Sequence, residues 1–213
     1  MERIATIKRI TKLLEKREKY DITVEENHNF FANNILVHNS CLKGHEGVFA
    51  RSHALPTKEP WYDHLKGVYY SKLSVLKPNY WIFGENTFAI HSIEYTEMES
   101  YFYIFAIYDT DTNTWLSYDD MVAEAKRIDI PTVPLLFRGT VMDMAWVNKW
   151  MDKYMKGQFS LLGGPLEGFV LRIADAIPGD KFQEFVAKYV REGHVQTSKH
   201  WKVNWKPQKL KVD

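Results

Sequence analysis

The stretch HNFFANNILVHNSC, residues 28–41, sets His28, Asn29, Asn33, Asn34, His38 and Asn39 within twelve positions, then adds the hydroxyl of Ser40 and the chain's only thiol, Cys41. An asparagine side-chain amide can attack its own backbone carbonyl, close a succinimide and break the bond to the next residue. The reaction is slow by itself. It speeds up when an imidazole polarises the carbonyl or protonates the leaving amine, and when a following nucleophile has turned the amide into a more labile branched ester. His38-Asn39-Ser40 supplies the acid, the cyclising amide and the hydroxyl in that order, and His28 is placed upstream to move protons. The competing reading is a turn-rich loop whose Asn and His side chains satisfy backbone groups.

Composition limits what surrounds this cluster. At 213 residues, 45% apolar and 15% aromatic, the chain can bury a substantial core, with one large domain or a small one joined to a medium one. The longest apolar run, YFYIFAIY from Tyr101, has 8 residues, against the ~20 needed to span a bilayer. MERIATIKRI has no hydrophobic secretory core, and one cysteine forms no internal disulfide, so the expectation is a cytoplasmic protein without a membrane partner. The net charge of +1 conceals a division. Residues 1–39 carry 7 basic and 6 acidic side chains, residues 40–180 carry 13 and 18, and residues 181–213 carry 8 and 3. The basic tail interleaves Lys with Trp201 and Trp205, which suits phosphates and bases, or equally solvated lysines over a packed Trp pair.

Periodicity gives a mixed α+β pattern. Ile4, Ile7, Ile10 and Leu13 or Leu14 fall at helical spacing, whereas the Ile and Thr content, and Tyr20 to Val24, favour strands. Residues 66–92 and 101–109, rich in Tyr, Val, Ile and Phe, read as strands broken at Pro78-Asn79 and Gly84. Ser117 before YDDMVAEAKRI is a helix start, with a hydroxyl cap and acids near the positive end of the dipole. Residues 143–155 read as a second helix ended by Gly163-Gly164-Pro165, EGFVLRI as a strand, and 182–190 as either helix or strand.

Taken together, YDITVEENHNFFANNILVHN resembles the two terminal motifs of an intein, over residues 1–39. Asp21 and His28 match the upstream acid and histidine, His38 and Asn39 match the terminal pair, and Ser40 is the first extein residue. The resemblance implies a small all-β fragment of the Hint type, which argues against a helix over residues 2–14. Met1 stands only 38 residues before Asn39, so the implied object is the C-terminal half of a split intein that splices in trans. Cys41 rivals Ser40 as first extein residue only if no terminal Asn is required.

Residues 40–213 carry FARS with Arg51, FGEN with Glu85, PLEGFVLR with Glu167, and VAKYVR with Lys188. In order and spacing these resemble the ATP-dependent RNA ligases of the covalent nucleotidyltransferase superfamily. That resemblance implies an adenylation domain in which a motif I lysine, in Lys-x-Asp-Gly, takes AMP from ATP, passes it to a 5′-phosphate RNA end, and lets a 3′-hydroxyl displace it. It assigns Arg51 to the ribose or a phosphate, Glu85 to a ribose hydroxyl and Phe105 to stacking on adenine. Glu167 would help hold Mg2+ or Mn2+, and Arg172 and Lys188 would stabilise charge on the transferring phosphorus. Where relatives carry a second motif V lysine, Arg191 stands one residue late. His194 and His200 lie in a stretch similar to a C-terminal segment of some of these ligases.

Lys-x-Asp-Gly itself is absent, and Lys43-Gly44-His45-Glu46-Gly47 is the nearest approach. The two resemblances account for this jointly. A partner chain, the N-terminal intein and ligase half, would supply Lys-x-Asp-Gly, and splicing would join its glycine to Ser40. The expected domains are thus 1–39 and 40–213, the latter an adenylation domain lacking its motif I segment. The alternative is a nucleotide- or RNA-binding module with an inert intein remnant. A DNA ligase or capping-type transferase ranks lower, because no appended domain of the usual size is visible.

Overall fold

The computed structural model describes residues 39–50, 56–90, 93–140, 145–146, 148–149, 160–166, 168–190 and 205–211. The expectations for residues 2–24 lie outside them, as does most of 143–155, of which 145–146 and 148–149 are helical.

Among the described residues, eight strands form two antiparallel sheets. They are β1 (Asn39–Lys43), β2 (Gly47–Phe49), β3 (Tyr80–Asn86), β4 (Phe102–Asp109), β5 (Thr114–Trp115), β6 (Gly168–Arg172), β7 (Ile177–Pro178) and β8 (Val186–Val190). The large sheet runs β2-β1-β3-β4-β5-β7, and β6 pairs with β8 in the small one. β4, FYIFAIYD, forms because its aromatic and β-branched side chains pack well on a pleated surface buried on both faces.

One face of the large sheet carries the main core. Leu42, Ile82, Phe102, Ile104 and Ile107 meet two helices, α1 (Asp63–Lys72) and α2 (Tyr118–Arg127). Each fully buried Leu or Ile contributes about 1.5–3 kcal/mol relative to exposure. Helix α2 starts as its sequence predicts: Ser117 Oγ accepts from the Asp120 N–H at 3.1 Å, Asp119 and Asp120 occupy the first turn, and Lys126 and Arg127 the last. Helix α1 corrects the expectation of a strand from residue 66. Its Val68, Tyr69 and Tyr70 are strand formers, but Leu65 and Tyr69, four apart, bury one helical stripe against the sheet. Pro60, opening the 3₁₀ turn Pro60–Tyr62 that leads into α1, was the available signal.

The ambiguous 182–190 divides between both options: a short helix, α3 (Phe182–Phe185), runs directly into β8. At the carboxyl end, Trp205 packs against Trp61 and Phe88, and buried Gln208 bonds the Ile93 carbonyl and the Tyr95 N–H. For Trp205 the packed reading therefore holds. Trp201, His194 and His200 lie outside the described residues.

Glu124 ties α2 to the turn after α1. Its side chain is 7% exposed, pairs with Arg127 at 2.6 Å and Lys77 at 3.2 Å, and Arg127 also donates to the Val75 carbonyl. Burial alone would raise the carboxyl, but the hydrogen bonds from Arg127 and Lys77 outweigh it and hold Glu124 below the usual range. A folded-state pKa lowered in this way contributes stability that is present above the ordinary carboxylate value. That contribution disappears as pH falls through the depressed one. Glu124→Gln is expected to cost about 1–2 kcal/mol near neutral pH, both cations being half-exposed, and to shrink the acid limb of the stability profile. Urea midpoints measured from pH 7 to 3 check this; parallel curves for the two proteins would refute it.

Candidate functional site

The second face of the large sheet holds Cys41, Phe49, Phe83, Ala106, Trp115 and Ile177, with Phe105, Phe182 and Val186 packed against them. Register places Glu85 in the same row. Asn39, Cys41 and Lys43 of β1 lie opposite Glu85, Phe83 and Trp81 of β3, and cross-strand partners share a face.

Phe105 reaches this face through a bulge. Phe83 pairs with Ala106 and Gly84 with Ile104, so β4 sets two residues against one and Phe105 is the extra one. Without the slip, strict alternation would turn Phe105 or Ala106 to the helix side. Gly84, beside the slip, has no room for a side chain: an added Cβ would lie 2.4 Å from the Phe102 ring and 2.6 Å from the Tyr103 carbonyl oxygen. The FGEN glycine is therefore structural, and Glu85 follows it opposite Tyr103, two residues before the bulged Phe105.

The small sheet brings Arg172 to the same region. Arg172 ends β6 opposite Val186, which packs on the Trp115 cluster. Its Nη2 donates to the Leu116 carbonyl at 2.8 Å and its Nε to the Ile173 carbonyl at 3.1 Å, while Nη1 is buried without an acceptor. Burial lowers the affinity of this guanidinium for its proton, although it stays charged at any working pH. Lys188 pairs through its backbone with Val170, two positions along β8 from Val186. Glu85, Phe105, Arg172 and the backbone of Lys188 are thus on elements that meet around Trp115. His28, His38, Arg51, Glu167 and Arg191 lie outside the described residues.

The expected boundary at 39/40 falls inside β1, whose first two residues are Asn39 and Ser40. Ser40 lies opposite Gly84 and has no exposed surface; its Oγ has no hydrogen-bond partner, though the Tyr62 phenol is near enough to be affected by it. Cys41 is equally buried, and burial pushes its thiol far above the range in which thiolate forms.

Lys43, in the nearest approach to Lys-x-Asp-Gly, lies apart from this group. It stands at the end of β1 away from Glu85, about 13 Å along the strand by the usual rise. Its ammonium lies 4.4 Å from the Phe49 ring centroid and 4.1 Å from that of Trp81, in a turn where Gly44 takes φ +36.

A flat ring, an acid and a buried guanidinium on elements that meet around one residue can take a flat base and an anionic group. The chain belongs to the RNA ligase family, whose profile matches residues 22–190. No curated protein and no solved structure matches it. RNA ligases of this family generally use ATP and a divalent cation. The orphaned donor on Arg172 fits a phosphate-bearing nucleotide. For the cation, the described residues contain no group of three or more His, Cys, Asp or Glu placed to hold a metal ion, and the candidate Glu167 is not among them. No helix among the described residues is long and apolar enough to cross a membrane.

Proposed function

We propose that this chain is the C-terminal precursor of an ATP-dependent RNA ligase, completed by trans-splicing through residues 1–39. The observation that carries the reading is the position of β1. Its amino end lies directly opposite Glu85, on the face that bears Phe105, so whatever is joined to Ser40 emerges at the candidate nucleotide site. The family match extends upstream to Ile22, yet residues 22–39 contain no lysine. On this reading the lysine that forms lysyl-AMP is supplied by another chain.

In the splicing step, the N-terminal half would first be carried as an ester on the Ser40 hydroxyl. The Asn39 side-chain nitrogen attacks the Asn39 carbonyl carbon, the bond to the Ser40 nitrogen breaks, and that nitrogen leaves as an amine with a proton from His38. The freed amine then takes over the ester's acyl group, leaving an ordinary peptide bond before Ser40 and a free hydroxyl. In the completed ligase, Phe105 would hold adenine, Glu85 and Arg51 the ribose, and Arg172 and Lys188 the phosphate in transfer. Glu167 would help hold the divalent cation, which when bound neutralises phosphate charge.

Chymotryptic peptide mass spectrometry of the mature protein from its native source tests this. The expected peptide joins Ser40 to the glycine of a foreign Lys-x-Asp-Gly, with residues 1–39 absent. Ser40 still following Asn39 would refute splicing and favour a nucleotide- or RNA-binding module.

A further inference from the structure

Trp115 carries a second orphan donor. The residue is 6% exposed, and its indole Nε1–H, a donor with no acceptor capacity, has no hydrogen-bond partner. The ring is held on three sides by Phe83 at 5.0 Å, Tyr108 at 5.1 Å and Phe182 at 4.2 Å between centroids. The next residue, Leu116, gives its carbonyl to Arg172 Nη2, whose sister Nη1 is the other orphan. A buried donor left unmade is costly in a folded protein and is normally satisfied. Here one stands on Trp115 and the other on a guanidinium bonded to the carbonyl of the next residue; both are donors and one is cationic, so the missing partner is an acceptor, and an anionic oxygen suits the pair.

We infer that Trp115 is a nucleotide-binding residue, donating its indole N–H, alongside Arg172, to a phosphate oxygen of the bound nucleotide. This rests on the nucleotide site proposed above and adds to it a residue that no part of the sequence pattern singled out. The rigid aromatic packing fixes the direction of the N–H, so the donor is in place before the ligand arrives.

Trp115→Phe removes the N–H and keeps most of the ring contact. Calorimetric titration of the full chain with ATP and, separately, adenosine is expected to show about tenfold weaker ATP binding, the size of a charge-assisted hydrogen bond, and unchanged adenosine binding. In the ligand-free state the variant should melt no lower than wild type, because the bond was never made. Equal ATP affinity in both proteins overturns the inference, as would happen if only a water meets the indole. A ligand-free variant that melts clearly lower also overturns it, since the N–H would then be structural. A wild-type chain that binds no ATP overturns the proposed nucleotide site as well, which separates the two failures.

Discussion

Mixed with the N-terminal half, the Asn39→Ala variant is expected to yield no joined ligase. Alanine has no side-chain nitrogen to close on the Asn39 carbonyl, so the bond to Ser40 has no internal route to cleavage. The earlier acyl transfer to the Ser40 hydroxyl does not use Asn39, and a branched species should accumulate, its mass equal to both chains less the N-terminal intein segment. Asn34→Ala is the control and should splice. Two readouts decide the matter: the joined product by intact mass, and a new adenylated band when labelled ATP is added. A joined product from Asn39→Ala in wild-type yield would remove Asn39 from the chemistry. A loss in both variants would point to folding of the segment instead.

The largest effect on stability is expected at Gly84. Valine there would bring its Cβ to 2.4 Å from the Phe102 ring and 2.6 Å from the Tyr103 carbonyl oxygen. The carbonyl is backbone and the ring is fully buried in the main core, so neither contact yields cheaply. Overpacking of this kind costs about 3 kcal/mol or more, or roughly 6–12 °C in Tm for a domain of this size. Since Glu85 follows directly and the bulge lies alongside, nucleotide binding should fail together with the fold. Gly67→Ala is the contrast: a Cβ there meets nothing within 4 Å, and the change should be neutral or slightly stabilising. Comparable melting of Gly84→Val and wild type would mean that the β3–β4 register differs from the one described.

What the sequence disclosed depended on whether local and tertiary preferences agreed. They agree in β4, where apolar content and β-propensity both favour a doubly buried strand, and in α2, where the cap and end charges coincide with a helical stripe. They conflict in α1, where Gly67, Val68, Tyr69 and Tyr70 are poor helix formers and burial of Leu65 and Tyr69 prevails. At 182–190 the signals were both genuine, belonging to two elements in succession. Glu85, Phe105 and Arg172 were named through the family resemblance, and the elements bearing them meet around Trp115. Trp115 was not legible: a tryptophan in a two-residue strand looks like core, and only the lack of an acceptor for its N–H distinguishes it.

The enclosure of Ser40 bears on the order of events. Its strand is hydrogen-bonded to β3, and its hydroxyl has no exposed surface. An incoming acyl group cannot reach that oxygen while β1 is docked. Under the splicing proposal, chemistry at the junction and closure of the sheet would be competitors in time: a molecule that completes its sheet first would be withdrawn from the reactive pool until the strand is released. The yield of ligase would then be decided by a race, with the rate of β1 docking as the opponent.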